Sequence, residues 1–251
     1  MIDFVLSPSL QTSAEDLLPA YEMKFLLTEA EAERVTESIR SVLHPDPHGT
    51  GGSVPGEYLI ATIYCDTPDF DVYRRNEGYA RRKYRVRRYN RDGTVFLERK
   101  TRKGNRVRKQ RINIPLSELT ELNHSKFDIN WPADWFRQET AERQLSPTIQ
   151  VSYRRQAFVG AGPDGPLRVT FDRDLRSVPI NHWFPDAFAA GASILTDCVI
   201  CEFKFRGSMP MVLKSLVEAH SLVPSGASKY RRSIETVGMI FEKEIRKWTT
   251  G

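Results

Sequence analysis

Cysteine is scarce in this chain: Cys65, Cys198 and Cys201 are the only three in 251 residues. Three thiols make no disulfide framework, so the expected home is a reducing compartment, the cytoplasm. Long apolar runs are missing too. No stretch approaches the roughly 18 residues that cross a bilayer as a helix, and the N-terminus lacks a basic flank, apolar core and small-residue cleavage site. The expectation is a soluble, unexported protein. Histidine is thin: His44, His48, His124, His182 and His220 are scattered without ligand spacing, which leaves no histidine metal centre and no Ser-His-Asp arrangement. A Walker loop is absent as well, because the glycine stretches 49–52 and 160–165 lack the Lys-Ser/Thr ending and read as turns. Cys198 and Cys201 form a C-x-x-C, but inside the apolar run Cys-Val-Ile-Cys and with no second pair at zinc spacing, so core packing is the reading.

What the chain does have is one dense block of positive charge. Arg81 to Arg111 holds fifteen Lys or Arg against two acids, Asp92 and Glu98. The remainder has 22 basic and 30 acidic residues, so the overall +5 is a local property of this window. Charge of one sign at that density calls for a polyanion.

At 28.8 kDa and 40% hydrophobic residues the chain can bury one sizeable core. Residues 1–19 read as a loosely attached lead-in, and 20–251 as a single domain. A strand around Tyr21, Met23 and Phe25 is followed by a helix opened by a Thr28/Glu31 capping box and running to about Leu43. Segment 44–57 is loop by composition. Strands are expected at 58–65, 79–89, 94–101, 106–114, 148–159, 166–174 and 197–206. Pro115 begins a helical turn, 131–143 reads as an amphipathic helix, and two helices, about 209–222 and 229–248, close the chain. The sum is α+β: eight strands at antiparallel spacing and about five helices.

Side chains alternate faces along a strand, so each strand splits into two columns. Leu167, Val169 and Phe171 oppose Arg168, Thr170 and Asp172. Val199, Cys201, Phe203 and Phe205 oppose Glu202 and Lys204. Val95 and Leu97 oppose Glu98 and Lys100, while Lys83, Arg85, Arg87 and Tyr89 share one column, as do Tyr153 and Arg155. Ordinary barrels fill their lumen with apolar side chains. Here, apolar columns packed outward under helices would leave the charged columns lining a polar tunnel. Glu-x-Lys recurs in register with this scheme at Glu22/Lys24, Glu98/Lys100 and Glu202/Lys204. On a strand it sets both groups on one face about 7 Å apart. Carboxylates there can hold a divalent metal while Lys and Arg hold phosphate oxygens.

The segments Tyr21-Glu-Met-Lys-Phe25, Ile63-Tyr-Cys-Asp-Thr-Pro68, Lys83-Tyr-Arg-Val-Arg87, Phe96-Leu-Glu-Arg-Lys100, Tyr153-Arg-Arg155 and Ser228-Lys-Tyr230 resemble, in order, the catalytic domain of vacuolar transporter chaperone (VTC) polyphosphate polymerases, of the triphosphate tunnel metalloenzyme superfamily. The resemblance covers about residues 20–240 and is to a short, bacterial-type member. It implies a closed eight-stranded antiparallel β-barrel, the triphosphate tunnel, with helices packed outside. It implies that Lys24, Arg85, Arg87, Lys100, Lys109, Arg155, Arg168 and Lys229 contact the phosphates of ATP or of a growing polyphosphate chain, with Arg111 and Lys204 beside them. Tyr153 and Ser228 would donate hydrogen bonds to phosphate, and Ser228 and Lys229 precede the last helix, whose free N–H groups favour an anion. Glu202 would hold Mn²⁺ or Mg²⁺, with Glu98 and Glu22 as lesser candidates for metal or for structural ion pairs.

The function expected is metal-dependent transfer of the ATP terminal phosphate onto inorganic polyphosphate. A triphosphatase or polyphosphatase would use the same residues, and a non-catalytic polyphosphate-binding tunnel the same walls. A nucleic-acid-binding module is disfavoured by the carboxylates interleaved with the basic columns and by the lack of a recognisable binding motif. Within the basic window, Arg82, Arg88 and Arg99 are expected to point away from the tunnel.

Overall fold

The structure is a computed structural model and describes residues 20–49, 54–103, 106–124 and 130–240. The lead-in 1–19 and the chain beyond 240 lie outside the described residues.

The elements follow the sequence's punctuation. β1 (Ala20–Leu27) ends at Thr28, whose hydroxyl accepts the Glu31 backbone N–H while the Glu31 carboxylate accepts the Thr28 N–H, and α1 (Glu29–Arg40) starts there. The two-residue β2 (His44–Pro45) leads to β3 (Glu57–Asp66) and the short α2 (Asp71–Arg74). The basic window makes the meander β4 (Arg82–Tyr89), β5 (Thr94–Lys103) and β6 (Arg106–Pro115). A 3₁₀ helix (Leu116–Asn123) and α3 (Asp134–Glu142) precede the long hairpin of β7 (Ser146–Gly162) and β8 (Gly165–Pro179). β9 (Ala192–Ser193), β10 (Val199–Phe205), α4 (Met211–Ala219) and α5 (Lys229–Thr236) complete the described chain. The helix expected over about 229–248 is interrupted after Thr236, where Gly238 takes φ 69, a left-handed conformation suited to ending a helix; Met239 and Ile240 are helical again, and residues 241–248 lie outside the described residues.

The eight long strands form one curled antiparallel sheet in the order β7-β3-β4-β5-β6-β1-β10-β8, and β7 pairs again with β8. The sheet therefore returns on itself, yet it is not the fully closed barrel that the resemblance implies. Among the described residues, β1 and β6 meet through two pairs only, Ala20↔Val107 and Tyr21↔Arg106. β1 runs on past the β5–β6 hairpin to pair with β10 from Tyr21 to Leu27, and in the β1–β6 register the rest of β6 would lie beside residues before Ala20, outside the described residues.

The apolar columns do pack outward. On one flank Phe25, Val169, Phe171, Cys201 and Phe203 are buried beneath Val35 and Ile39 of α1 and Leu213 of α4. On the other, Tyr84, Val86, Val95 and Leu97 are covered by Leu119 and by Phe136 of α3. Each such fully buried side chain contributes about 1.5–3 kcal/mol. With the apolar faces committed to the helices, the charged columns are left facing one another.

Candidate active site: a cation-lined cavity with its own counterions

Between the charged columns lies a cavity of about 730 Å³. Lys24, Arg85, Arg87, Lys100, Lys109, Arg111, Tyr153, Arg155, Arg168, Lys204, Ser228, Lys229, Glu22 and Glu202 all line it. Of the expected site residues Glu98 is the exception, sealed behind the wall at 0% exposure. Arg88 and Arg99 point away, Arg88 donating to the Asp92 carbonyl and Arg99 pairing with Glu139. Arg82, expected to do likewise, lines the cavity. It is the first residue of β4 and follows Arg81 at φ 66, so the pleat has not yet fixed which face it takes.

Glu98 is the centre of one charge cluster. Its carboxylate pairs with Arg85, lies 3.6 Å from Lys109 Nζ and 3.4 Å from Arg111 Nε, and 4.0 Å from Arg87 Nη1. The register explains the convergence, since Arg85 and Arg111 are its direct cross-strand partners on β4 and β6. Burial pushes its pKa up, but Arg85, Arg87, Lys109 and Arg111 outweigh burial and hold it well below the usual carboxylate range. Enclosed by four cations and at 0% exposure, Glu98 stands as a counterion to the wall, the ion-pair alternative to a metal ligand. The Arg111 guanidinium also stacks 3.6 Å over the Phe96 ring, which fixes its plane.

A second cluster stands on the opposite wall. Asp172, at 0% exposure, accepts two hydrogen bonds from Arg155, Nε at 2.6 Å and Nη2 at 2.8 Å, and pairs with Lys229 Nζ at 2.5 Å. Burial disfavours its charge and Arg155 with Lys229 restores it, so its pKa is lowered. Tyr153 serves this cluster with its face, lying 4.9 Å from Lys229 Nζ and 5.5 Å from the Arg155 guanidinium carbon. A register shift between Ser152 and Arg154 places it there. Arg168 is tied to Asp46 and the Tyr58 hydroxyl. Beside it, Thr170 Oγ1 and Arg168 Nε are buried polar atoms with no partner among the described residues.

Glu202 and Glu22 face the cavity and pair with Lys24 (3.3 Å) and with Lys100. Lys24 stands opposite Glu202 in the β1–β10 register and Glu22 opposite Lys204, so the two carboxylates are diagonal neighbours. Both act on Lys100, whose pKa burial brings down to about 8 against their pull; Lys109 is likewise brought down to about 8 by burial against Glu98. Among the described residues no group of three or more His, Cys, Asp or Glu converges, which excludes an all-protein cage there. Two hard carboxylates beside a phosphate-sized cationic cavity are nevertheless the donor set with which Mg²⁺ or Mn²⁺ is held jointly with substrate phosphates. Glu22 and Glu202 fit that role.

Sequence reasoning passed over Asp172, Thr170 and Lys83 as site residues, although all three belong to charged columns already picked out. Their signal is position in the column, but an acid that serves as counterion and a cation without one look no different in sequence from a ligand and a binder. Ser228 was placed correctly at the start of α5, but its hydroxyl oxygen accepts from the Arg231 N–H at 3.3 Å and from Lys83 Nζ at 2.9 Å. Cys201 is buried in the core and Cys198 half-buried, both free thiols.

Solved structures of the same shape exist at low identity. A protein from Bacillus halodurans, provisionally called an adenylate cyclase, superposes with TM-score 0.51 at 13% identity over 84% of this chain and 94% of its own. A Hippeastrum protein, provisionally an adenylyl cyclase and described as having a dominant triphosphatase activity, gives TM-score 0.48 at 16% identity, covering 85% of this chain and 93% of its own. The PH1819 protein of Pyrococcus horikoshii gives 0.47 at 13%, covering 87% and 98%. No curated protein matches the chain. The model of the VTC domain, however, matches residues 19–237, the whole of the curled sheet, and the chain belongs to the VTC domain family.

Proposed function

We propose that this protein is a metal-dependent polyphosphate polymerase. A terminal oxygen of a phosphate or polyphosphate acceptor attacks the γ-phosphorus of ATP, the bond from that phosphorus to the bridging oxygen breaks, and ADP leaves. The observation that carries this reading is the cavity wall itself, where basic columns from strands distant in sequence converge on one volume in a VTC-family chain. Phosphoryl transfer needs alignment and charge neutralisation more than a protein nucleophile. Arg85 and Arg87 are held at fixed depth by Glu98, and Arg155 and Lys229 by Asp172, so four cationic groups stand oriented before any anion enters. Thr170 Oγ1 and Arg168 Nε, without partners among the described residues, are polar atoms suited to phosphate oxygens. Glu22 and Glu202 would hold Mn²⁺ or Mg²⁺, which when bound neutralises charge on the phosphate oxygens.

Purified protein incubated with ATP and Mn²⁺ should yield phosphate polymer and ADP. Monomeric phosphate or pyrophosphate alone, even with a polyphosphate primer present, would replace the polymerase with a hydrolase of the same cavity. Tight tripolyphosphate binding without ATP turnover would leave a binding protein.

A further inference from the structure

Many of the cavity's cations share a carboxylate: Lys24 with Glu202, Lys100 with Glu22, Arg85 with Glu98, Lys229 with Asp172, Arg168 with Asp46. Lys83 differs. It stands on β4 directly opposite Lys100 of β5, lines the cavity, and has as its partner the Ser228 hydroxyl at 2.9 Å. Among the described residues no carboxylate pairs with it. The charged groups facing it are Lys24 from β1, Lys100 from β5, Arg85 from its own strand and Lys229 from α5. Arg231 offers only its backbone N–H to the shared Ser228 oxygen and turns its guanidinium to the Tyr73 carbonyl and Glu235. Burial and these four cations together hold the Lys83 amine well below the usual lysine range. The Ser228 contact suits both protonation states, because an ammonium donates to the hydroxyl oxygen while a neutral amine accepts the hydroxyl proton.

We infer that Lys83 is the residue at which this cavity takes up a proton when it binds a phosphate chain. The inference rests on the phosphate-binding reading above. Without anion, the amine is neutral and accepts the Ser228 O–H. With anion, it takes H⁺ from solvent and, as an ammonium, donates to a phosphate oxygen. Release of the chain returns the proton. Lys83 thereby gains its charge only in the presence of the ligand that compensates it, so the empty wall avoids one further like charge.

The test is titration calorimetry with inorganic tripolyphosphate at pH 7, without metal, in buffers of differing ionisation enthalpy. The slope of heat against buffer enthalpy gives the protons exchanged. Wild type, K83R and K83M are compared, each checked for folding by circular dichroism. The expected result is about one proton more taken up by wild type than by either variant, since a guanidinium is always charged and a thioether never is. Subtraction removes protons shed by the ligand and those of Lys100 and Lys109, common to all three proteins. K83R should still bind tripolyphosphate while lacking the extra uptake, a combination that a purely structural lysine does not give. Equal proton numbers in wild type and variants overturn the inference and leave the phosphate-binding reading standing. No binding by wild type overturns both.

Discussion

Replacing Glu98 by glutamine tests how the cavity wall is held. The carboxylate is at 0% exposure and faces Arg85, Arg87, Lys109 and Arg111. Removing one partner of a buried ion pair costs about 3–5 kcal/mol, because the remaining charge is left uncompensated. Arg85 and Arg87, with side chains 10% and 9% exposed, cannot turn to water, whereas Lys109 and Arg111, at 23% and 27%, can. That relief puts the expected loss near the low end, about 3 kcal/mol. For a chain of this size it is a fall of roughly 6–12 °C in melting temperature. Urea unfolding at pH 7 measures it, and tripolyphosphate should restore more stability to Glu98→Gln than it adds to wild type, since the anion supplies the missing charge. The pH dependence has a definite sign. The folded pKa of Glu98 lies well below its ordinary value, so its contribution is complete above the unfolded pKa of about 4.3 and is lost as pH falls from there toward the folded pKa. Glu98→Gln should therefore show a shallower acid limb than wild type. A variant within about 1 kcal/mol of wild type that has instead lost its response to Mn²⁺ would refute the counterion argument and return Glu98 to the metal.

Arg87→Ala should lower activity by about 10²–10³-fold, the usual cost of one oriented donor to a developing charge, while Arg88→Ala, on the opposite face, should change it by less than about twofold; equal losses in steady-state rate would refute the division of β4 into two faces. Glu202→Gln should abolish the dependence of turnover on added Mn²⁺ while tripolyphosphate still binds without metal; a retained metal titration curve would remove Glu202 from the site. Lys100 and Lys109 are brought down to about 8 by burial, and their protonated forms are the ones that attract anions. Tripolyphosphate affinity measured from pH 7 to 9 should fall as pH passes 8, and a flat profile would mean that neither ammonium reaches the ligand.

The alternation of β4, β5, β8 and β10 was legible because a two-residue period is a property of the strand alone. It showed which residues share a face, and with helices to absorb the apolar faces it showed that the charged faces must meet. Pairings between charged columns were not legible. Asp172 with Lys229, or Asp46 with Arg168, depend on residues 57 and 122 positions apart, and nothing local marks which acid a cation will choose. The same limit explains Glu98, which on its own strand looks like any exposed Glu-x-Lys until β4 and β6 close over it. The Thr28/Glu31 box is a local reciprocal bond and was readable, whereas the end of α5 at Thr236 hinges on the left-handed Gly238 inside a pattern that otherwise stays amphipathic. The two β1–β6 pairs seen among the described residues depend on relative stagger, which single-strand patterns do not encode.

The counterions already present in the wall have a consequence for movement. A phosphate that reaches Lys24 or Lys100 does not fill an empty trap, because Glu202 or Glu22 is there first. It exchanges one anionic partner for another, and the net gain is the small difference between two similar pairings. Two such exchanges side by side present an anion with shallow stations in place of deep ones. On the proposed polymerase reading, a metal-free chain seated on them would advance by one phosphate at little cost, each carboxylate returning as its lysine is vacated, so one wall would both grip a polymer and let it slide.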